Sequence, residues 1–341
     1  MDFTPDEAQE AVVRLAADVL EGAGDAPERA WKALAQAGLL ALALPPGLGG
    51  SGLGVLETSL VLTEVGRRAA AVPALSTLAL GVLPVVRWAD PAPQLLAGVA
   101  AGDTVLTAAL REPGDPLPLV PRTTASPLVT GTKVGVPYAE QAHRILVPVT
   151  LDSGGTAVAV VDPAAPGLRM HRTPSATGEP EYTVRLDGVQ PQLIGGSVAD
   201  LYRCAIAGAC AAGAGALAGA LALTAAHVGT REQFGRPLAR FQAVAQQIAD
   251  AYVVSRTMEL AALSASWRLG AGLPADDDLA VAAYWLASEA PAAVQACHHL
   301  HGGLGLDVTY PLHRHSSTIK DLVRLLGGAE HLLGRVPCSS T

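Results

Sequence analysis

The chain has 341 residues, of which 50% are hydrophobic and 16% are charged, and its formal net charge is −8. This acidic balance excludes nucleic-acid binding as a function, because no basic stripe is present to displace counterions from a phosphate backbone. Only 4% of the residues are aromatic, so the core must consist mainly of Ala, Leu, Val and Gly. A weakly charged chain of this kind often buries part of its surface in an oligomer.

The first region predicts helices. From Asp6 to about Arg87 the apolar residues recur at helical spacing, and a glycine cluster, GLGGSGLG, interrupts them at Gly47 to Gly54. The cluster contains a spacing similar to the dinucleotide-binding fingerprint, but a helical pattern precedes it and no clear βαβ unit follows. We interpret it as a turn between helices. The N-terminal segment is acidic and amphipathic, which is not typical of a secretory signal peptide.

The middle region predicts a small antiparallel β-domain. From Thr104 to about Leu193 the sequence contains short β-rich runs that are separated by Pro and Gly. These runs include VLTAAL, HRILVPV, TAVAVVD and YTVRLDGV. A β-domain between two helical regions is an uncommon order, and it reduces the number of folds that are compatible with the sequence.

The last region predicts about four packed helices. From Val198 onward long Ala- and Leu-rich stretches return, and they are separated by turns at 229–237, 270–278 and 302–307. The most apolar stretch, 204–226, is rich in Ala and Gly, which makes it too weakly apolar to predict a membrane span.

We therefore expect three domains, with no internal repeat. Their predicted bounds are 1–102 for the helical domain, 103–196 for the β-domain and 197–341 for the helical bundle. The four cysteines have neither a metal-ligand spacing nor a disulfide-dense pattern, which indicates a reducing, cytoplasmic setting. They are Cys204, Cys210, Cys297 and Cys338.

The segment REQFGRPLARFQ carries the first candidate binding element. Arg231, Phe234, Gln242 and Gln246 are spaced around a Gly-Arg-Pro turn, so that a cation, an aromatic ring and an amide would meet one elongated ligand. The alternative is a surface turn between two ordinary helices.

The segment HGGLG carries the second candidate element. At Gly302, Gly303 and Gly305 the backbone can approach a ligand closely, because no Cβ intervenes. The alternative is a helix C-cap.

Three histidines precede these glycines, at His298, His299 and His301. Their crowding suggests metal binding, yet no carboxylate or cysteine lies at the usual ligand spacing. We expect no metal site here. A helix C-terminus or a cofactor contact is the preferred interpretation, since His is favoured near the negative end of a helix.

Taken together, three elements resemble the acyl-CoA dehydrogenase family. They are REQFGRPLARFQ, the HGGLG element followed by YPLHR, and the N-terminal stretch ALALPPGLGGSGLGVLETSLVLTEVGR. The order of the three regions matches over nearly the whole chain. The resemblance implies an α+β, mostly α fold with a helical N-terminal domain, a β-barrel-like middle domain and a C-terminal four-helix bundle. It also implies FAD at a subunit boundary.

The resemblance further implies which residues contact the cofactor. In the family, two sequence elements hold the pyrophosphate and adenosine of the FAD that is bound to a neighbouring subunit. This chain retains sequences similar to both. His299 stands where the family usually has Gln, and its ring still offers a hydrogen bond. The implied FAD-binding residues are Arg231, Phe234, Gln242, His299, Gly302, Gly303 and Gly305.

The catalytic base of the family is missing from its two usual positions. Removal of the α-proton of an acyl thioester needs a carboxylate with a raised pKa. Counting from the shared motifs, those positions are Leu326 and Tyr202. Leu does not titrate, and the ordinary pKa of Tyr, about 10, makes it a poor base here. Glu330, one helical turn beyond Leu326, is the alternative base, and a solvated helix residue is its other interpretation.

The middle domain also departs from the family pattern. Where the family carries a Trp-Ile-Thr/Ser strand behind the flavin ring, this chain has Gly135, Val136 and Pro137. Gly removes the aromatic wall and Pro removes a backbone donor. The chain's own flavin ring site is therefore expected to be dismantled.

This asymmetric loss implies a heteromeric enzyme. The sequence 297–328 resembles the short subunit of the α2β2 acyl-CoA dehydrogenases of bacterial steroid side-chain β-oxidation. The resemblance implies a larger partner subunit that contains the flavin ring pocket and the catalytic Glu. It also implies an electron acceptor flavoprotein. It implies a bulky steroid-CoA substrate. The alternatives are a homo-oligomeric dehydrogenase that uses Glu330, and a flavin-free structural or regulatory paralogue.

Overall fold

The computed structural model describes residues 5–88 and 92–334. Within these ranges the helices fall into an N-terminal group and a C-terminal group. The α-helices are α1 Glu7–Ala23, α2 Pro27–Gln36, α3 Val55–Arg67, α4 Leu83–Val86, α5 Val198–Thr230, α6 Gln242–Gly270, α7 Asp276–Ser288, α8 Ala290–His301, α9 Leu312–Leu326 and α10 Gly328–Leu333. A π-helical segment, Leu75–Val82, runs directly into α4.

The first helix begins as its sequence predicts. Asp6 is the N-cap of α1: its carboxylate accepts a hydrogen bond from the Gln9 backbone N–H at 2.8 Å, and the Gln9 side chain accepts one from the Asp6 N–H. This reciprocal pair is a capping box, which satisfies two N–H groups that have no partner inside the helix. The glycine cluster at 47–54 lies in a loop between α2 and α3 with one short 3₁₀ turn, so the predicted interhelical turn is confirmed.

A single eight-stranded sheet forms the middle of the chain, in the order β6-β7-β3-β2-β4-β5-β8 with β1 beside β4. Its strands are β1 Leu106–Ala108, β2 Thr124–Ala125, β3 Val129–Pro137, β4 Arg144–Leu151, β5 Thr156–Val161, β6 Leu168–Thr173, β7 Glu181–Val189 and β8 Leu193–Gly195. The expected strands are present. The sheet is mixed, however: β4 pairs in parallel with both β1 and β2, which the alternation of apolar residues cannot reveal.

Helix α5 is the central element of the C-terminal region, and its small residues explain why. A Cβ placed at Gly215 would lie 1.9 Å from the Thr63 carbonyl oxygen, and one at Gly66 would lie 2.0 Å from that of Ala212. The backbones of α3 and α5 therefore touch, which only glycine at these positions permits. The Ala- and Gly-rich stretch is the seam between the two helical groups.

Helix α5 is also long and apolar enough to cross a membrane by length and composition, the one such helix found in the described ranges. Of its most apolar 18-residue window, 72% is buried inside the protein. The core helix of a folded protein passes the same test. Its burial against α3, α6, α8 and α9 is the environment of a core helix.

The number of C-terminal helices differs from the expectation of about four. The described part of this region has six α-helices, because α7 and α8 are separated only by Glu289 and a short α10 follows α9. Pro291, the second residue of α8, has no N–H to continue the ladder from α7. A short two-stranded hairpin, β9 Glu232–Gln233 and β10 Arg236–Pro237, links α5 to α6.

Candidate functional site

The hairpin after α5 presents an aromatic side chain to the surroundings. Phe234 and Gly235 form its tip with φ angles of +54° and +77°, as two-residue hairpin turns with two left-handed residues require. A left-handed φ is unusual for a bulky residue. The Phe234 side chain is 91% exposed, so neither burial nor a favourable φ explains a Phe at this tip.

The hairpin is held by a second aromatic ring. Phe241 packs edge-on against Phe234, with ring centroids 6.1 Å apart, and the Arg236 guanidinium lies over the Phe241 ring at 4.2 Å. Arg231 caps the end of α5, and its carbonyl accepts a hydrogen bond from the Leu238 N–H at 2.9 Å. The Arg231 side chain is exposed, which leaves its forked donors available to an anionic ligand.

The glycine loop after α8 is fastened by His298. The Nδ1 atom of His298 lies 2.9 Å from the Gly305 carbonyl oxygen, and the Nε2 atom lies 3.0 Å from the Ser316 hydroxyl. Because a carbonyl only accepts, Nδ1 must donate to it. Gly302 has φ +57° and ψ −134°, a conformation that suits glycine. A Cβ at Gly305 would lie 2.9 Å from the His298 carbonyl oxygen.

One ring contact joins the two candidate elements. His227 lies one turn before Arg231 on α5, and its ring stacks on the ring of His301, which directly precedes the glycine loop. The ring centroids are 4.6 Å apart. Burial lowers the pKa of both histidines, and the nearby Arg231 charge lowers that of His227 further. Both rings therefore favour the neutral form in which they stack without repulsion.

The remaining predicted residues lie near the same two elements. Gln242 is the first residue of α6 and His299 lies in the last turn of α8, and both are exposed. Together with the exposed Gly302 and Gly303, they put polar groups on the outside of the protein. The three histidines at 298–301 do not face one site, since His301 bonds the Cys297 carbonyl and the Tyr310 hydroxyl.

A different arrangement surrounds Gly135 on β3, where the sequence lacks the family's aromatic wall. Gly135 lies at a β-bulge between Lys133 and Val136 with φ +66°, and a Cβ there would lie 2.5 Å from a terminal nitrogen of Arg111. Charged side chains stand on this side of the strand. Arg324 of α9 binds both carboxylate oxygens of Glu181 at 2.5 and 2.6 Å.

The two residues predicted to stand at the family's base positions, Leu326 and Tyr202, are buried. Leu326, the last residue of α9, is fully buried. The buried Tyr202 donates a hydrogen bond from its hydroxyl to the Pro118 carbonyl at 3.0 Å. Glu330 is exposed on α10, so its carboxylate is in contact with solvent.

Sequence reasoning missed His227, Arg111, Glu181 and Arg324. None of them belongs to a motif with recognisable spacing, and the ion pair of Glu181 with Arg324 joins residues 143 positions apart.

Comparisons with known proteins agree with this geometry. Residues 4–103 match the family model described as acyl-CoA dehydrogenase, N-terminal domain, and residues 203–334 match that of the acyl-CoA dehydrogenase C-terminal domain. Acyl-CoA dehydrogenase FadE28 of Mycobacterium tuberculosis is 50% identical, over 98% of this chain and 97% of its own length. FadE27 of the same organism is 34% identical, over 90% of this chain and 86% of its own.

Two solved structures share the fold closely. The ChsE4-ChsE5 complex from Mycobacterium tuberculosis has a TM-score of 0.90 at 32% identity, covering 98% of each chain. A variant of the Tcur3481-Tcur3483 steroid ACAD has a TM-score of 0.90 at 34% identity, covering 97% of this chain and 96% of its own.

Proposed function

Because the chain belongs to the acyl-CoA dehydrogenase family, we propose that it is a subunit of a heteromeric FAD-dependent acyl-CoA dehydrogenase. In this proposal it supplies the ADP-binding half of a FAD site whose ring pocket and catalytic Glu belong to a larger partner subunit. One observation carries the proposal. The residues resembling the family's ADP-binding elements, Arg231 and Gly302, are exposed, whereas the side of β3 at Gly135 is bordered by charged side chains.

The residues at the exposed elements fit the ADP part of FAD. The Arg231 guanidinium suits a diphosphate, since its planar fork makes two parallel hydrogen bonds to phosphate oxygens. The exposed Phe234 ring offers an apolar face, and Gly302 and Gly303 let the backbone come close. The left-handed φ of Phe234 also agrees with a functional role, because such strain persists where the surroundings hold it in place.

The residues around Gly135 do not fit a flavin ring. An uncharged, planar ring system is stabilised by aromatic or apolar walls, and here the neighbours are Arg111, Glu181 and Arg324. The free energy needed to remove these charges from water would exceed the stabilisation gained from contact with an apolar ring. The ring pocket in use would therefore be the partner's.

The proposed reaction is the α,β-dehydrogenation of an acyl-CoA thioester. FAD, when bound, would accept the hydride from the β-carbon, and a carboxylate must remove the α-proton. The two positions where the family places that carboxylate hold Leu326 and Tyr202 in this chain. The base is therefore assigned to the partner subunit, and this chain alone is expected to be inactive.

The proposed substrate is a steroid side-chain CoA thioester. Its support is the structural neighbour described as a steroid ACAD, together with the heteromeric neighbour. An electron acceptor flavoprotein would reoxidise the flavin. The proposed location is the cytoplasm, which agrees with the buried free thiols of Cys204, Cys210 and Cys297. Cys338 lies outside the described residues.

Co-expression with the larger subunit tests the proposal. The complex with Arg231→Ala should lose flavin during gel filtration while its subunit ratio stays unchanged. Arg185→Ala, which removes an exposed arginine on β7, outside both candidate elements, is the matched control and should retain flavin. Arg231→Lys should give an intermediate result, because the charge survives and the fork is lost. Full flavin content and activity in the lone chain would contradict the proposal.

Two alternatives make different predictions. A homo-oligomeric dehydrogenase using Glu330 would lose turnover on Glu330→Gln and keep its flavin. A flavin-free structural paralogue would leave the flavin content of the complex unchanged on Arg231→Ala. The exposure of Glu330 favours the heteromeric proposal over the first alternative.

A further inference from the structure

A cavity of about 420 Å³ lies between α9 and the loop that follows β1. Three cations line it: Arg111 from the loop, and Lys320 and Arg324 from α9. The two residues on α9 are four positions apart, so they lie on the same face of the helix. The lining carboxylates are Glu112 and Asp115.

Two of these five charged side chains, Glu112 and Arg324, already have partners of opposite charge. The Glu112 carboxylate accepts a hydrogen bond from the fully buried Lys133 ammonium at 2.8 Å and also bonds the Thr123 hydroxyl and backbone N–H. Arg324 binds Glu181 through both carboxylate oxygens and contacts Asp321 at 2.8 Å. These pairs leave the cations Arg111 and Lys320 opposite Asp115.

Arg111 has no such partner. Its Nε–H is buried and has no hydrogen-bond acceptor in the described part of the chain, and no carboxylate there forms a salt bridge with its guanidinium. Burial, followed by repulsion from Arg324, lowers the pKa of Arg111, and the attraction of Glu181 offsets these effects only in part. A half-buried arginine that lacks a partner destabilises the folded chain.

We propose that this cavity binds a small oxyanion, a carboxylate or phosphate group, between the Arg111 guanidinium and the Lys320 ammonium. The planar fork of Arg111 matches two oxygens of such a group, and the Lys320 ammonium adds a second charge. Arg111 keeps its unpaired position because the ligand supplies the missing partner. The inference is independent of flavin binding, since it concerns this chain's own cations and needs no partner subunit.

Asp115 provides a variant whose expected effect on oxyanion binding is opposite to that of the cation variants. It is the lining carboxylate that would compete with the ligand for Arg111 or repel the ligand. Asp115→Asn should therefore strengthen oxyanion binding, whereas Lys320→Gln and Arg111→Gln should weaken it. A general salt effect would not show these opposite signs.

The test is a titration of the full-length chain with inorganic phosphate, and separately with acetate, at constant ionic strength kept with sodium chloride. Thermal unfolding and calorimetry both report binding, since a ligand of the folded state raises the melting temperature in a saturable way. We expect saturable binding of at least one probe and about tenfold or more weaker binding to Arg111→Gln. Arg185→Gln, an exposed arginine on β7, should bind as the wild type does.

The outcomes separate cleanly. Binding of phosphate alone identifies a phosphoryl ligand, and binding of acetate alone identifies a carboxylate. If neither probe binds saturably, or if Arg111→Gln and Lys320→Gln both bind as the wild type does, the proposal fails. Lys320 is exposed, so its variant should fold even if the Arg111 variant does not. Flavin content is not measured, so failure here leaves the proposed function untouched.

Discussion

The ring of His227 on α5 stacks on the ring of His301 on α8 at a centroid distance of 4.6 Å, and this contact ties together the two segments that we assign to the ADP site. Arg231 follows one ring and Gly302 follows the other. The His301 ring is further fixed by the Cys297 carbonyl at 2.8 Å and the Tyr310 hydroxyl at 3.1 Å. His301 is the first residue of the HGGLG element, whereas His227 lies outside both motifs.

The stack should be measurable as a coupling energy. In a double-mutant cycle of His227→Ala and His301→Ala, we expect the free energies of unfolding to be non-additive by about 0.5–1.5 kcal/mol, as for other aromatic pairs. Chemical denaturation at pH 8 measures it. As a control, His227→Ala combined with His171→Ala, an exposed histidine on β6, should be additive. Additivity in the first cycle would show that the stack has no energetic role.

The two motifs could be recognised in the sequence, but the contact between them in the folded chain could not. Helical periodicity, the β-rich runs and the turn glycines were sufficient to predict three regions, because these signals are local. The His227–His301 stack and the Glu181–Arg324 ion pair depend on how distant elements pack. No local pattern encodes such contacts, and a single sequence offers no second signal for them.

The buried His315 predicts a pH-dependent stability. Burial lowers its pKa to about 4, from an ordinary value near 6.5. Between pH 6.5 and about 4 the unfolded chain therefore binds a proton at this histidine and the folded chain does not. Stability that is present above pH 6.5 is lost as the pH falls to about 4. The loss should be about 3 kcal/mol. Denaturant unfolding of the wild type and of His315→Leu across this range should show a flatter curve for the variant; parallel curves would contradict the assignment.

The carboxyl group of Glu179 predicts the opposite trend. Burial, together with the nearby Asp321 charge, raises its pKa to about 7 although it accepts a hydrogen bond from the Tyr138 hydroxyl at 2.7 Å. Its contribution to stability is complete below the unfolded pKa of about 4.5 and is lost as the pH rises through 7. Glu179→Gln should therefore raise the melting temperature at pH 8 and change it little at pH 5. Equal effects at both pH values would contradict this prediction.

The ion pair of Lys133 and Glu112 should be costly to break. Both side chains are almost completely buried, with exposures of 0% and 1%, so Lys133→Met removes the buried cation of the Glu112 carboxylate and should destabilise the chain by about 3–5 kcal/mol. Combining it with Glu112→Gln should recover part of the loss. Arg122→Gln removes the mostly exposed partner of the same carboxylate and should cost about 0–1 kcal/mol. Urea unfolding of the four proteins provides the comparison.

Gly135 and Gly303 form a matched pair for separating backbone strain from ligand binding. Gly135 has φ +66°, and a Cβ there would meet Arg111 at 2.5 Å. Gly135→Ala should therefore cost about 1–3 kcal/mol of stability. Part of that cost should disappear in an Arg111→Ala background, because the steric clash with Arg111 is removed while the left-handed backbone conformation remains strained.

A Cβ added at Gly303 would have no neighbouring atom within 4 Å, so Gly303→Ala should change the free energy of unfolding by no more than about 0.5 kcal/mol. In the assembled complex, however, Gly303→Ala should weaken flavin retention, since the added methyl would face the proposed ADP group, and normal retention would remove Gly303 from that site.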